Sequence, residues 1–214
     1  LLDHRGHGRS GKPTDLEAHR VERYVDDVIA VLDSLDIERA AFWGYSGGAT
    51  VGYALAASHP DRIAGLVLQG SIGDGDYDRP EEQEPTRATA EEARRRGLAA
   101  IIKDGEAAEG MTFPDWFLQQ MASTDGEMFA LEILGSALWH GPWSVLKDIH
   151  CPVLMLVGER EDPEGDNPRA ASRMANARCV TFPGLGHIGA YVRSDLALAE
   201  AVPFLRRIAN APSP

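Results

Sequence analysis

An α/β fold with a mainly parallel sheet is what this 214-residue sequence predicts, and three observations carry the prediction. Four short runs of strand-forming residues recur along the chain: Ala40 to Trp43, Ala64 to Gly70, Pro152 to Gly158 and Cys179 to Pro183. Stretches with a helical period separate them, and strands that alternate with helices favour a parallel sheet covered on both faces. Finally, Gly44-Tyr45-Ser46-Gly47-Gly48 sits between a strand and small helix-compatible residues. A sharp strand-to-helix turn there holds a serine in a strained conformation with its hydroxyl exposed. Gly44 and Gly48 are expected at places where a Cβ would collide with neighbouring backbone.

Leu1 to Asp3 reads as the end of a strand, followed by a polar loop, Asp3-His4-Arg5-Gly6-His7-Gly8-Arg9-Ser10. The histidines of that loop match no metal-ligand spacing, so a loop role is expected and no metal. From Asp15 to Leu35, Val21, Tyr24, Val25, Val28, Leu32 and Leu35 recur at three and four, which predicts a helix. The helix after Ser46 ends at His59-Pro60, because proline cannot continue it. Ala64 to Gly70 is apolar enough for a strand buried on both faces. Residues 72 to about 85 are rich in Asp, Glu, Gly and Pro and read as an exposed loop. Helices are expected at Ala90 to Lys103, Pro114 to Ala122 and Asp125 to Trp139, then a short turn at Trp143 to Ile149. Met111, Trp116, Phe117, Trp139 and Trp143 make this insertion apolar, as ordinary core or as the lining of a lid. Asn167 is expected to cap a helix with Pro168 at its first position, and a last helix is kinked or divided at Pro203. Ser46, the pair Glu161 and Asp162, and His187 each come just after a strand, where ligand crevices form in such sheets.

Composition narrows the classes. Apolar residues at 43% and charged residues at 25% suit a globular domain, and a formal charge of −12 argues against nucleic acid or anionic membrane as partner. No apolar run approaches the ~18 residues that span a bilayer. Two cysteines, Cys151 and Cys179, make no disulfide framework; free buried thiols are expected, with pairing open if their strands are neighbours. The chain begins without methionine, as though entered partway along a strand, so a leader in a longer parent stays open beside the cytoplasmic location expected here.

The order of serine, acid and histidine, each after a strand, resembles the α/β-hydrolase superfamily. Asp3 to Ser10 looks like that family's Asp-x-Arg-Gly-x-Gly-x-Ser loop, and Gly44 to Gly48 like its nucleophile elbow. Gly158-Glu159-Arg160-Glu161 lies where the family carries its acid, and Gly184-Leu185-Gly186-His187 is similar to its Gly-x-Gly-His. The resemblance implies Ser46 as nucleophile, His187 as general base, Gly47 N–H as an oxyanion donor, and Glu161 or Asp162 as acid, with register favouring Glu161. It implies a sheet of the α/β-hydrolase type lacking its first strands. Residues 1–71 and 149–214 would form the core, and 72–148 a helical cap. Tyr45, Trp116, Phe117 and Trp139 would contact substrate.

The activity implied is hydrolysis of carboxylic esters with small or medium apolar groups, without cofactor. Ser46 argues against relatives with Asp at the elbow, the haloalkane dehalogenases and most epoxide hydrolases. The alternative is a catalytically weak or inert small-molecule-binding protein, because the family's other oxyanion donor comes from a segment before Leu1. The family's neighbour for the strand at Ala40 to Trp43 also precedes Leu1. Either Leu1 to Asp3 fills that place or two chains pair there, and a homodimer is expected.

Overall fold

A computed structural model describes residues 1–70 and 80–210, so part of the loop expected at 72–85 lies outside the described residues. The described chain divides into two units, one holding Ile29–Asp74 with Gly141–Pro214, the other Leu1–Val28 with Gly75–His140.

The first unit is built on four parallel strands in the order β1 (Ala40–Tyr45), β2 (Ile63–Gln69), β3 (Val153–Gly158) and β4 (Ala177–Phe182). Val67, Leu154 and Leu156 point to one face. There they pack with Phe182 of β4, with Ala190 of helix α8 (His187–Val192), and with Ala197, Ala201 and Phe204 of helix α9 (Ser194–Ala209). Leu68 and Met155, one residue out of phase, meet Gly52 and Tyr53 of helix α2 (Gly47–Ser58) on the other face. Covering on both faces is why β2 and β3 read as continuous apolar runs, and α2, rich in alanine and glycine, is buried nearly all round. Helix α9 continues through Pro203 instead of dividing there, because Ala201 and Phe204 keep its buried face on the sheet. Among the described residues β1 is bonded on one side only, and Leu1 to Asp3 form no strand.

The second unit is helical: the first part of α1 (Val21–Ser34), then α3 (Pro80–Arg96), α4 (Leu98–Glu109), α5 (Asp115–Ser123) and α6 (Gly126–Ser136). α3 begins ten residues earlier than the helix expected at Ala90, so residues 80–85 are helix and not loop. Glutamate and glutamine are good helix formers, and proline suits a first helical position, as at Pro80. Buried Ala90 and Ala93 allow α3 to pack closely on α6. His19 is fully buried. Its Nε2–H donates to the Pro13 carbonyl at 2.8 Å while Nδ1 accepts from the Tyr24 hydroxyl at 2.9 Å. Among the described residues no helix is long and apolar enough to cross a membrane.

Cys151 and Cys179 are free although β3 and β4 are neighbours. Cys179 sits opposite Met155, four residues beyond Cys151, a separation of about 13 Å along a strand, too far for a disulfide. Burial pushes both thiols up to about 11, with the Asp162 charge adding to the effect at Cys179. Both are therefore expected to react with a thiol reagent at neutral pH far more slowly in the native chain than after unfolding. Equal rates in the two states would contradict this packing.

Candidate active site

The sheet brings four strand ends together, and the turns and helix starts just beyond them assemble the site. After β1 the backbone turns sharply into α2, with Ser46 at φ 52° and ψ −117°. A non-glycine residue with positive φ stores about 1–3 kcal/mol of strain. Ser46 N–H donates to the Gln69 carbonyl at 2.9 Å, which anchors the turn to β2. The turn is tight because the strand and the helix touch through backbone: a Cβ on Gly44 would lie 2.1 Å from the Gly48 carbonyl oxygen. Gly48 differs from expectation. A Cβ there meets nothing within 4 Å among the described residues, since it points out from the first turn of α2.

Beyond β3 a short 3-10 turn, Glu159–Glu161, carries the first carboxylate inward. Glu161 Oε1 accepts from Gly158 N–H at 2.6 Å and Oε2 from His187 Nδ1–H at 2.6 Å. Asp162 faces elsewhere: its two oxygens accept from the N–H groups of Asp166 and Asn167 at 2.7 and 3.1 Å. It thereby caps α7 (Asp166–Ala171), a role expected of Asn167, whose side chain is instead buried. Of the two candidate acids, Glu161 is the one bonded to the imidazole.

His187 opens α8, and its Nε2 lies 3.1 Å from Ser46 Oγ. A carboxylate can only accept, so Nδ1 carries the ring proton and Nε2 presents a lone pair to the serine hydroxyl. Tyr45 stacks on His187 at 4.9 Å between centroids and on Tyr191 at 4.1 Å, and its hydroxyl donates to the His187 carbonyl at 3.3 Å. The Tyr45 ring thus buttresses the imidazole. Gly47 is the first residue of α2, so its N–H has no acceptor within the helix and joins the positive end of the helix dipole beside Ser46. Trp116, Phe117 and Trp139 lie in the helical unit. Phe117 is 2% exposed and packs edge-on against Phe113 and Trp116, whereas Trp116 is 50% exposed. Trp139 is half-buried.

Two supports of the site are not evident from sequence. Gln69, 3% exposed at the end of β2, donates from Nε2 to the Ala190 carbonyl at 3.0 Å and accepts from Trp43 Nε1–H at 3.3 Å. It ties the helix that starts at His187 to the sheet, and its signal is a lone amide ending an apolar run. Gly70, at φ 59°, lies under the imidazole, where a Cβ would stand 2.9 Å from His187 Cε1 and 2.8 Å from the Tyr45 ring.

Residues 1–97 match the family model described as the alpha/beta hydrolase fold. The solved structure of a thermophilic esterase from Thermogutta terrifontis superposes with a TM-score of 0.81 at 25% identity, covering 96% of this chain and 78% of that one. Residues 1–97 thus match the alpha/beta hydrolase family, and the chain has the α/β-hydrolase fold. Epoxide hydrolase B of Mycobacterium tuberculosis (strain ATCC 25618 / H37Rv) is 46% identical to this chain over 66 residues, 31% of the chain and 18% of the relative. The 2-hydroxymuconate semialdehyde hydrolase of Pseudomonas sp. (strain CF600) is 44% identical over 68 residues, 32% and 24% of the respective lengths. The matched stretch therefore spans about a quarter or less of these curated relatives.

Three substitutions test this geometry through stability alone. Gly44→Ala is expected to lower Tm sharply or prevent folding, because backbone must move to admit the methyl group, whereas Gly48→Ala shifts Tm little. Asp162→Ala should destabilise by about 1 kcal/mol, the usual value of a helix N-cap, in a denaturant titration. Equal effects at Gly44 and Gly48, or no effect at Asp162, would contradict the assignments.

Proposed function

We propose that this chain carries the catalytic machinery of a serine hydrolase that cleaves carboxylic esters with small to medium apolar groups. The observation that carries the proposal is the hydrogen-bonded chain from Ser46 Oγ to His187 Nε2 at 3.1 Å and from His187 Nδ1 to Glu161 at 2.6 Å. Ser46 adds its oxygen to the ester carbonyl carbon while His187 Nε2 takes the hydroxyl proton. Glu161 holds the productive tautomer and stabilises the imidazolium without taking its proton. The Gly47 N–H and the N-terminus of α2 stabilise the oxyanion of the tetrahedral intermediate. Collapse expels the alcohol, which receives the proton from His187 Nε2, and leaves an acyl group on Ser46. Water then repeats the sequence: His187 takes its proton, the carboxylic acid departs, and Ser46 regains its hydrogen.

The likeness to a solved esterase supports the ester reading, as does serine, rather than aspartate, at the elbow. The apolar preference rests on the Met, Phe and Trp content of residues 111–143. Hydrolysis of p-nitrophenyl butyrate is expected from the parent chain, with a loss of roughly 10³-fold or more in Ser46→Ala and His187→Ala. Intact-mass spectrometry should show one organophosphonate adduct on the parent, none on Ser46→Ala and slow labelling of His187→Ala. Equal hydrolysis or equal labelling in parent and Ser46→Ala would overturn the proposal.

A further inference from the structure

Away from Ser46, the helical unit holds a second cluster of chemistry-bearing side chains. His4 and His7 stand on one loop and Glu132 on α6, and one donor atom from each lies within 4.8 Å of the others. His4 Nε2 is 3.5 Å from Glu132 Oε1, and His7 Nε2 is 3.3 Å from Glu132 Oε2, so one carboxylate spans two imidazoles. The two rings meet edge to face, 4.3 Å between centroids. Among the described residues His4 Nε2 is buried without a hydrogen-bond partner, although it stands within ion-pair distance of the carboxylate.

The tautomer of His7 suits a cation site. His7 Nδ1 faces the Arg5 carbonyl at 3.4 Å, and a carbonyl only accepts, so Nδ1 carries the proton in the neutral ring. Nε2 of that ring is then a bare lone pair directed at a carboxylate oxygen. That lone pair, the neighbouring His4 Nε2 and an anion, converging on one small volume, are donor types that a divalent transition metal takes. The two imidazole-to-carboxylate distances, 3.5 and 3.3 Å, are near those of a metal's ligands. Ligand bonds of about 2.0–2.1 Å set the donors of a tetrahedral zinc ion roughly 3.3 Å apart. A backbone carbonyl behind Nδ1 is also the usual support of a metal-binding imidazole.

The loop is held ready for this task. Arg5, between the two histidines, donates to both oxygens of Asp27 at 2.7 and 2.6 Å and to the Ala18 carbonyl at 3.0 Å. His7 N–H donates to the His4 carbonyl at 3.0 Å, and Gly6 N–H to the Gly11 carbonyl at 2.8 Å. These bonds fix the loop backbone that carries both imidazoles, and Glu132 is carried by a helix. We propose that His4, His7 and Glu132 form a binding site for a divalent transition metal of the zinc class, tying the His4–Ser10 loop to α6. Three protein ligands leave a fourth position for water or another small donor. The role assigned is binding and cross-linking of the loop to the helix.

Zinc titration of the whole 214-residue chain by calorimetry tests the site. One equivalent is expected to bind, at least tenfold more weakly in His7→Gln and in Glu132→Gln, with circular dichroism reporting that each variant is folded. The Tm of the parent should rise with zinc, and that of the variants should rise less. Because a variant could lose its fold, X-ray absorption of the zinc-loaded parent supplies an independent reading, with two imidazoles in the coordination sphere expected. Absence of stoichiometric binding, binding that survives both substitutions unchanged, or fewer than two imidazoles would each overturn the proposal.

Discussion

The contact on which the rest of this structure depends is between two backbones, where β1 passes under the first turn of α2. With hydrogen as the side chain at residue 44, the Gly48 carbonyl approaches a space that any Cβ would occupy. That approach compresses the strand-to-helix turn and forces Ser46 to φ 52°. Strain of this kind persists only where the surroundings over-determine it. Here the surroundings are a sheet buried on both faces, the bond from Ser46 N–H to the Gln69 carbonyl, and a helix with hardly an exposed face. One placement of backbone thus raises the hydroxyl and aims the free N–H groups of α2 at the same point.

The second determinant is the division of labour between adjacent carboxylates. Glu161 and Asp162 share charge and neighbourhood, yet the 3-10 turn after β3 sends their side chains apart. Glu161, one methylene longer, reaches both Gly158 N–H and His187. Asp162, short and one residue on, bonds the start of α7, as aspartate commonly does at helix N-termini. The histidine is in turn backed by aromatic stacking from Tyr45, by the absence of a side chain at Gly70 and by the Gln69 amide.

Much of this is legible in the sequence because it rests on local rules. Buried strands announce themselves as apolar runs, and the elbow as glycine, serine and glycine between a strand and a helix. Register in the sequence favours Glu161 over Asp162, and the Glu161 carboxylate is the one hydrogen-bonded to His187. Features that depend on distant partners are not legible. Gly44 and Gly48 look equivalent in sequence, but only one faces backbone, because the direction of each Cα–Cβ vector is set by the folded turn. Gln69 reads as the polar end of a strand until the Ala190 carbonyl is seen above it. Residues 80–85 carry prolines and charge that suggest a loop, while their glutamates favour the helix that forms. His4 and His7 match no ligand spacing because the third donor, Glu132, comes from a helix far along the chain.

In the proposed hydrolase, Ser46 Oγ, His187 and the Gly47 N–H act on one reacting carbonyl. A crystal structure of the chain after reaction with an organophosphonate tests it most directly. Phosphorus is expected on Ser46 Oγ, its phosphoryl oxygen accepting from Gly47 N–H and His187 Nε2 within hydrogen-bond reach of an ester oxygen. Phosphorus on another residue, or a phosphoryl oxygen turned away from the start of α2, would contradict it.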